Sequence, residues 1–125
     1  MRTKYDEYPE YHTSLDDLIS VVTPDGLGGG YNALWKAIEA IERNCYPKIT
    51  VMCEPQLGKR GLYPTASSKD TWDEVKLLMN ATTWSDGTHS LIEIAELCEV
   101  PVWELYPIME KLASHDLMEL LDDPV

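Results

Sequence analysis

Beyond Asp70 the chain is cut into apolar segments too short to stand alone, and that segmentation limits what it can fold into. Two boxes, Thr71-Trp72-Asp73-Glu74 and Ser90-Leu91-Ile92-Glu93, mark helix starts, because the hydroxyl and the carboxylate each satisfy a free amide of the first turn. The first helix carries an apolar face of Trp72, Val75, Leu78 and Met79. The second carries Leu91, Ile94, Ala95 and Cys98, and a third, after the turn Glu99-Val100-Pro101, buries Leu105, Ile108 and Leu112. Pro107, which lacks an amide hydrogen, is expected to kink that third helix.

Three short helices with a tight turn before each of the later two, then the apolar segment Leu117–Leu121 as a strand, form the winged-helix pattern. The first half has a different texture. After Thr23-Pro24-Asp25-Gly26 and the run Gly28-Gly29-Gly30, apolar residues recur at Tyr31, Leu34, Trp35, Ile38 and Ile41, the stripe of an amphipathic helix ending near Asn44. The glycine run fits neither phosphate-loop spacing, so it reads as the turn before that helix. Ile49–Cys53 is a short β-branched strand candidate. Glu54–Pro64 holds two prolines and two glycines and reads as a shaped connection, and 65–69 as the domain boundary.

Charge separates the halves further. The chain of 125 residues carries −12 in total, of which −11 falls in residues 70–125, where Lys76 and Lys111 are the only cations. Nucleic-acid affinity depends on cations that displace counterions from phosphates, so repulsion opposes a DNA-reading role for the module. No apolar run is long enough for a membrane span and the N-terminus lacks a signal-peptide core, which points to a cytoplasmic chain. Cys45, Cys53 and Cys98 form no C-x-x-C pair and read as reduced, buried thiols. His89 and His115 read as ordinary turn residues.

One run looks chemical: Tyr8-Pro9-Glu10-Tyr11-His12-Thr13-Ser14-Leu15-Asp16-Asp17. Its Y-H-T-x-x-D is similar to the motif bearing the last zinc ligand of the co-catalytic di-zinc aminopeptidases. The wider stretch from Arg2 to Leu18 resembles one bacterial branch of that clan, aminopeptidase-like proteins often encoded in polysaccharide biosynthesis loci. In that branch the peptidase domain ends in E-P-Q-L-G-K-R-G-L-Y-P, matched here by residues 54–64, and a winged helix follows, matched by 70–121. Asp6 stands where that branch carries glycine.

The resemblance implies that His12 is a zinc ligand and that Tyr11 donates a hydrogen bond to the oxyanion of the tetrahedral intermediate. Asp16 or Asp17 would hold the imidazole in orientation, a support that metal-bound histidines require. A co-catalytic site needs two metals, several further ligands and a glutamate base. In the clan these precede the first residue of this sequence, so zinc belongs to the full-length family and is not expected to be held stably by this chain alone. The fold expected is α+β: a helix-plus-strand remnant of an α/β zinc-peptidase domain at 1–66, then a winged-helix-like three-helix module at 67–125. The expected partner is the upstream peptidase domain, or a second copy, with a further protein partner open to the module and neither nucleic acid nor membrane. The alternative is a free-standing acidic winged-helix module for protein interaction or regulation.

Overall fold

The computed structural model describes residues 4, 6–17, 21–53, 55–62 and 69–125. They form two compact units that divide between Glu42 and Arg43.

The first unit holds a chain of turns over residues 6–17 and one helix, α1, Pro24–Glu42. The helix starts earlier than its apolar stripe suggests, because Thr23 accepts the Gly26 amide on its hydroxyl at 3.1 Å and Pro24 and Asp25 suit the first turn. Gly28-Gly29-Gly30 therefore lies inside the helix and is not the turn before it. Each glycine there costs about 1 kcal/mol relative to alanine. None of the residues of α1 is buried.

The second unit is built around β1, Tyr46–Ile49, which pairs antiparallel with β2, Met118–Leu121, in the register Tyr46↔Leu121 to Ile49↔Met118. The other edge of β1 is occupied too. Lys48 bridges Asp86, the Ile49 amide donates to the Ser85 carbonyl at 2.9 Å, and the Pro47 carbonyl accepts the Gly87 amide at 2.9 Å. The strand lies on the N-terminal side of the position expected from its β-branched residues, because Tyr46–Ile49 finds backbone partners on both sides whereas the chain bends from Thr50, whose amide still donates to the Leu117 carbonyl at 3.0 Å.

Around this ladder lie α2, Lys69–Trp84; α3, Leu91–Leu97; a 3-10 turn, Val102–Glu104; and α4, Tyr106–Ala113. The Ser90–Glu93 box is formed in both directions. The first turn of α3 is also capped from far away in sequence: the Leu91 amide donates to the Cys45 carbonyl at 2.8 Å and the Ile92 amide to Asn44 Oδ1 at 3.2 Å. Thr71 lies within α2 and not at its N-cap. Pro107 falls in the first turn of α4, where no amide is needed, so it starts that helix and does not kink it.

The core joins Leu78 and Ala81 of α2, Leu91, Ile94 and Ala95 of α3, Leu105, Tyr106, Met109 and Leu112 around α4, and Leu117 and Met118. It also contains Leu57 and Leu62, each only 1% exposed. They flank a 3-10 turn, Leu57–Arg60, closed by Gly61 at φ +68°. Lys111 Nζ donates to the Leu62 carbonyl at 3.1 Å, and Arg60 to the His115 carbonyl at 3.3 Å. The block read as the end of a peptidase domain is thus packed into the helical module. The units accordingly divide at 42/43, not at the expected 66/67, because β1 and these two leucines belong to the module's ladder and core. Of the boundary expected at 65–69, Lys69 opens α2 and 65–68 lie outside the described residues, as do Arg2, Thr3, Tyr5, Leu18, Glu54, Tyr63 and Pro64 of the motif blocks.

Two further expectations change. Trp72, placed on an apolar face by its spacing, is 71% exposed. The cysteines are free, but Cys53 is exposed and Cys45 and Cys98 are only half-buried. Burial pushes the thiols of Cys45 and Cys98 up from the ordinary range, with nearby Asp122 adding to the shift at Cys45.

Residues 43–125 should fold cooperatively when expressed alone, whereas a chain starting at residue 67 should not, since it lacks β1 and the caps on α3. Leu57→Ala should cost the 43–125 unit about 2–5 kcal/mol, read from denaturant unfolding followed by circular dichroism. A cooperative melt of 67–125 matching that of 43–125 would show that the ladder is dispensable.

The Ser85–Gly87 turn makes a second prediction. Asp86 Oδ1 accepts the Thr88 amide at 2.7 Å, the Thr88 hydroxyl at 2.8 Å and the His89 amide at 3.1 Å. These bonds, the Thr88 amide first, hold the Asp86 carboxyl far below the usual carboxylate range against a smaller opposing effect of desolvation. Its folded pKa lies below the unfolded value of about 4, so the stabilisation is fully present above that pH and is lost as pH falls. Asp86→Asn should lower Tm by a few degrees at neutral pH and by less near about pH 2, where the unfolded carboxyl is already protonated while the folded one is still largely ionised. An equal loss at both pH values would mean that the ionised carboxylate is not what holds the turn.

Candidate functional site

Residues 6–17 fold back on themselves through short-range bonds. The Tyr11 amide donates to the Tyr8 carbonyl at 3.2 Å, that of Thr13 to Glu10 at 3.0 Å, and that of Asp16 to Thr13 at 3.2 Å. Thr13 braces the middle of the loop, its hydroxyl donating to the Glu10 carbonyl at 2.7 Å and accepting the Leu15 amide at 3.2 Å. The threonine of the Y-H-T-x-x-D pattern therefore shapes the turn directly after His12.

Two backbone positions here are left-handed. Asp6 has φ +67° and His12 has φ +58°. Glycine adopts that region without penalty, and aspartate is among the residues that tolerate it best. Asp6 thus takes the conformation that the glycine of the resembling branch would favour. At His12 the left-handed turn presents an exposed imidazole packed edge-on against the Tyr11 ring, with centroids 4.2 Å apart and planes at 69°. Tyr11 is half-buried and also meets the Tyr8 ring, at 5.6 Å.

The structure brings Tyr11 and His12 together but not His12 and Asp16. Asp16 Oδ2 accepts the Tyr8 hydroxyl at 3.0 Å, and among the described residues no hydrogen bond links Asp16 to His12. Asp17 is half-buried in the same loop. Tyr8 is the residue that sequence reasoning did not single out. Its partner lies eight positions away in an irregular loop, where neither helical nor strand periodicity signals a contact. Among the described residues no group of three or more His, Cys, Asp or Glu side chains could hold a metal ion. A stable zinc site needs at least three protein ligands, so His12 can be one donor of such a set while the residues here do not complete it.

The second unit offers a different surface. A groove of about 410 Å³ runs between α2 and α4, floored by Leu62, Val75, Leu77, Leu78 and Ile108 and rimmed by Glu74, Glu104 and Lys111. Lys111 is the only cation on α4, and its ammonium is already held by the Leu62 carbonyl. Glu110 on the same helix is paired with Arg43, whose guanidinium lies 3.9 Å above the Tyr106 ring. His89 leans on Trp84 and on the Asp86 carboxylate, and His115 Nδ1 on the Lys111 carbonyl, so both histidines are engaged in turns.

The family profile of winged helix-turn-helix domains matches residues 44–120. The chain belongs to the winged helix-turn-helix family. Residues 1–44 match a domain of unknown function, DUF4910, so the two profiles meet within two residues of the boundary between the compact units. The chain is 39% identical over 98 residues to a polysaccharide biosynthesis protein with an aminopeptidase-like domain from Clostridium acetobutylicum. That match covers 76% of this chain and 22% of the relative. A crystal structure named as a peptidase of the same organism superposes with a TM-score of 0.72 at 29% identity, over 91% of this chain and 24% of that one. The chain therefore spans less than a quarter of each of these relatives. The resemblance to the aminopeptidase-like branch and the α+β fold with a winged helix both stand, and no described helix is long and apolar enough to cross a membrane.

Proposed function

We propose that this chain acts as the C-terminal portion of a zinc aminopeptidase-like protein. It contributes one metal ligand, His12, and an oxyanion donor, Tyr11, to a site completed by residues outside the chain. The observation that carries this reading is the geometry of the Tyr8–Asp17 loop: a left-handed turn braced by Thr13 presents the His12 imidazole to solvent against the Tyr11 ring. The match to an aminopeptidase-like relative supports it. Zinc held in the completed site would polarise the peptide carbonyl and activate water. This chain's own share is to hold one imidazole and to aim a phenol.

Asp16 or Asp17 orients the imidazole in the completed site; Asp16 here accepts the Tyr8 hydroxyl. The winged helix serves as an acidic accessory surface for protein contact and reads neither DNA nor membrane, in a cytoplasmic protein. Residues 43–125 hold 14 acids against 7 bases, a net charge of −7, and α4 carries Lys111 as its one cation beside Glu110, so repulsion opposes binding to phosphates.

Two outcomes test this. The isolated chain should show no turnover of amino-acyl anilides with added zinc or cobalt, because one ligand cannot hold a co-catalytic pair. Turnover that His12→Ala abolishes would overturn the reading. Binding to generic duplex DNA should be undetectable by fluorescence anisotropy at about 0.15 M salt. Micromolar binding that weakens steeply with salt would return the module to the DNA readers.

A further inference from the structure

The least accounted-for surface of the molecule is α1. Leu34, Trp35, Ile38 and Ile41 are 69%, 59%, 59% and 73% exposed, and Leu27 and Tyr31 on the same side are 63% and 64% exposed. Six large apolar side chains along one helix exceed the few hundred Å² of contiguous apolar surface that soluble monomers tolerate.

The arrangement around the helix identifies what covers it. At 100° per residue, the large side chains occupy about a third of the circumference. Directly beside them Gly26, Gly30, Ala33, Ala37 and Ala40 form a second, small-residue arc. Asp25, Asn32, Lys36 and Glu39 lie on a narrow polar strip and Glu42, the last residue, ends the helix on the large-residue side, so over residues 26–41 about two thirds of the circumference is apolar or small. A helix of this kind is enclosed on two sides. A second copy packed helix to helix would cover the large-residue arc alone, whereas the body of a larger domain covers both.

The glycines point the same way. A Cβ built on Gly28 or on Gly30 meets nothing within 4 Å, so nothing among the described residues requires glycine at these helical positions. Glycine in such a place is explained by the close approach of another backbone. The matched relatives supply a candidate of the right size, since the shared segment is only 22% or 24% of their length.

We infer that α1 is the docking element of this chain, and that its occupant is the apolar body of the peptidase-like domain represented by the remainder of those relatives. The inference rests on the functional reading above, but it concerns a surface and not the chemistry of His12. Trp35 and Ile38 are the anchors, and the small-residue arc lets the partner's backbone approach.

The test compares the isolated chain with a chimera in which residues 1–125 replace the matched segment of the Clostridium acetobutylicum protein. Hydrogen–deuterium exchange across residues 31–42 should be fast in the isolated chain and about 100-fold or more slower in the chimera. Trp35→Asp and Gly30→Ala should each lower the Tm of the chimera, whereas Asn32→Asp, on the polar strip, should not. In the isolated chain Gly30→Ala should raise helix content. Unchanged exchange in the chimera overturns the inference, as does a chimera that fails to fold when both parents do. Protection of α1 in the isolated chain that grows with concentration overturns it in favour of a second copy. Protection is read without turnover, so failure of this surface shows as unaltered exchange, while failure of the functional reading shows as anilide hydrolysis by the isolated chain.

Discussion

The two-sided pairing of β1 is the constraint on which the second unit depends. Four residues, Tyr46–Ile49, join β2 on one edge and the Ser85–Gly87 turn on the other. Without that ladder, the turn between α2 and α3 and the strand after α4 would have no common partner, and their backbone polar groups would need water. Gly87 shows how tight the arrangement is. It adopts φ +85°, and a side chain there would come within 2.5 Å of Val125 and 3.3 Å of Lys48. The Asn44 and Cys45 caps on α3 follow from the same placement of β1, which carries the residues before it to the first turn of that helix.

Because β1 comes before the helices in sequence and lies among them in space, the connection at 55–62 must pass along the helical bundle. Leu57 and Leu62 use that passage to fill the core, and the Arg60–His115 and Lys111–Leu62 bonds fasten its C-terminal end. The residues that make the block E-P-Q-L-G-K-R-G-L-Y-P distinctive therefore have structural roles: Gly61 takes a left-handed turn and the two leucines become core.

What could be read from the sequence was local. The capping box at Ser90, the apolar face of α3 and the strand near Leu117–Leu121 are set by neighbours a few residues apart and formed where the pattern placed them, whereas at α4 Leu105 and Leu112 are buried as expected but Tyr106 and Met109 fill the core and Ile108 is half-buried. What escaped was set by distant partners. Pro47 argues against a central strand, yet here the ladder needs only its carbonyl. The proline and glycine content of 55–62 reads as a boundary because composition does not reveal that Leu57 and Leu62 point into a core assembled from residues 78–118. At the candidate site, the Y-H-T-x-x-D run identified Tyr11 and His12 as neighbours, but the pairing of Asp16 with Tyr8 depends on how the turns close.

The distance between the paired strands bears on how the chain is made. Ile49 and Met118 are partners, so β1 leaves the ribosome roughly 70 residues before its mate, a delay of several seconds at about 5–20 residues per second. Through that interval Ile49, Leu57 and Leu62 are committed to neighbours that have not yet been synthesised. The nascent chain therefore passes through a stage in which its early core residues remain open to chaperones and to other nascent chains, until β2 emerges.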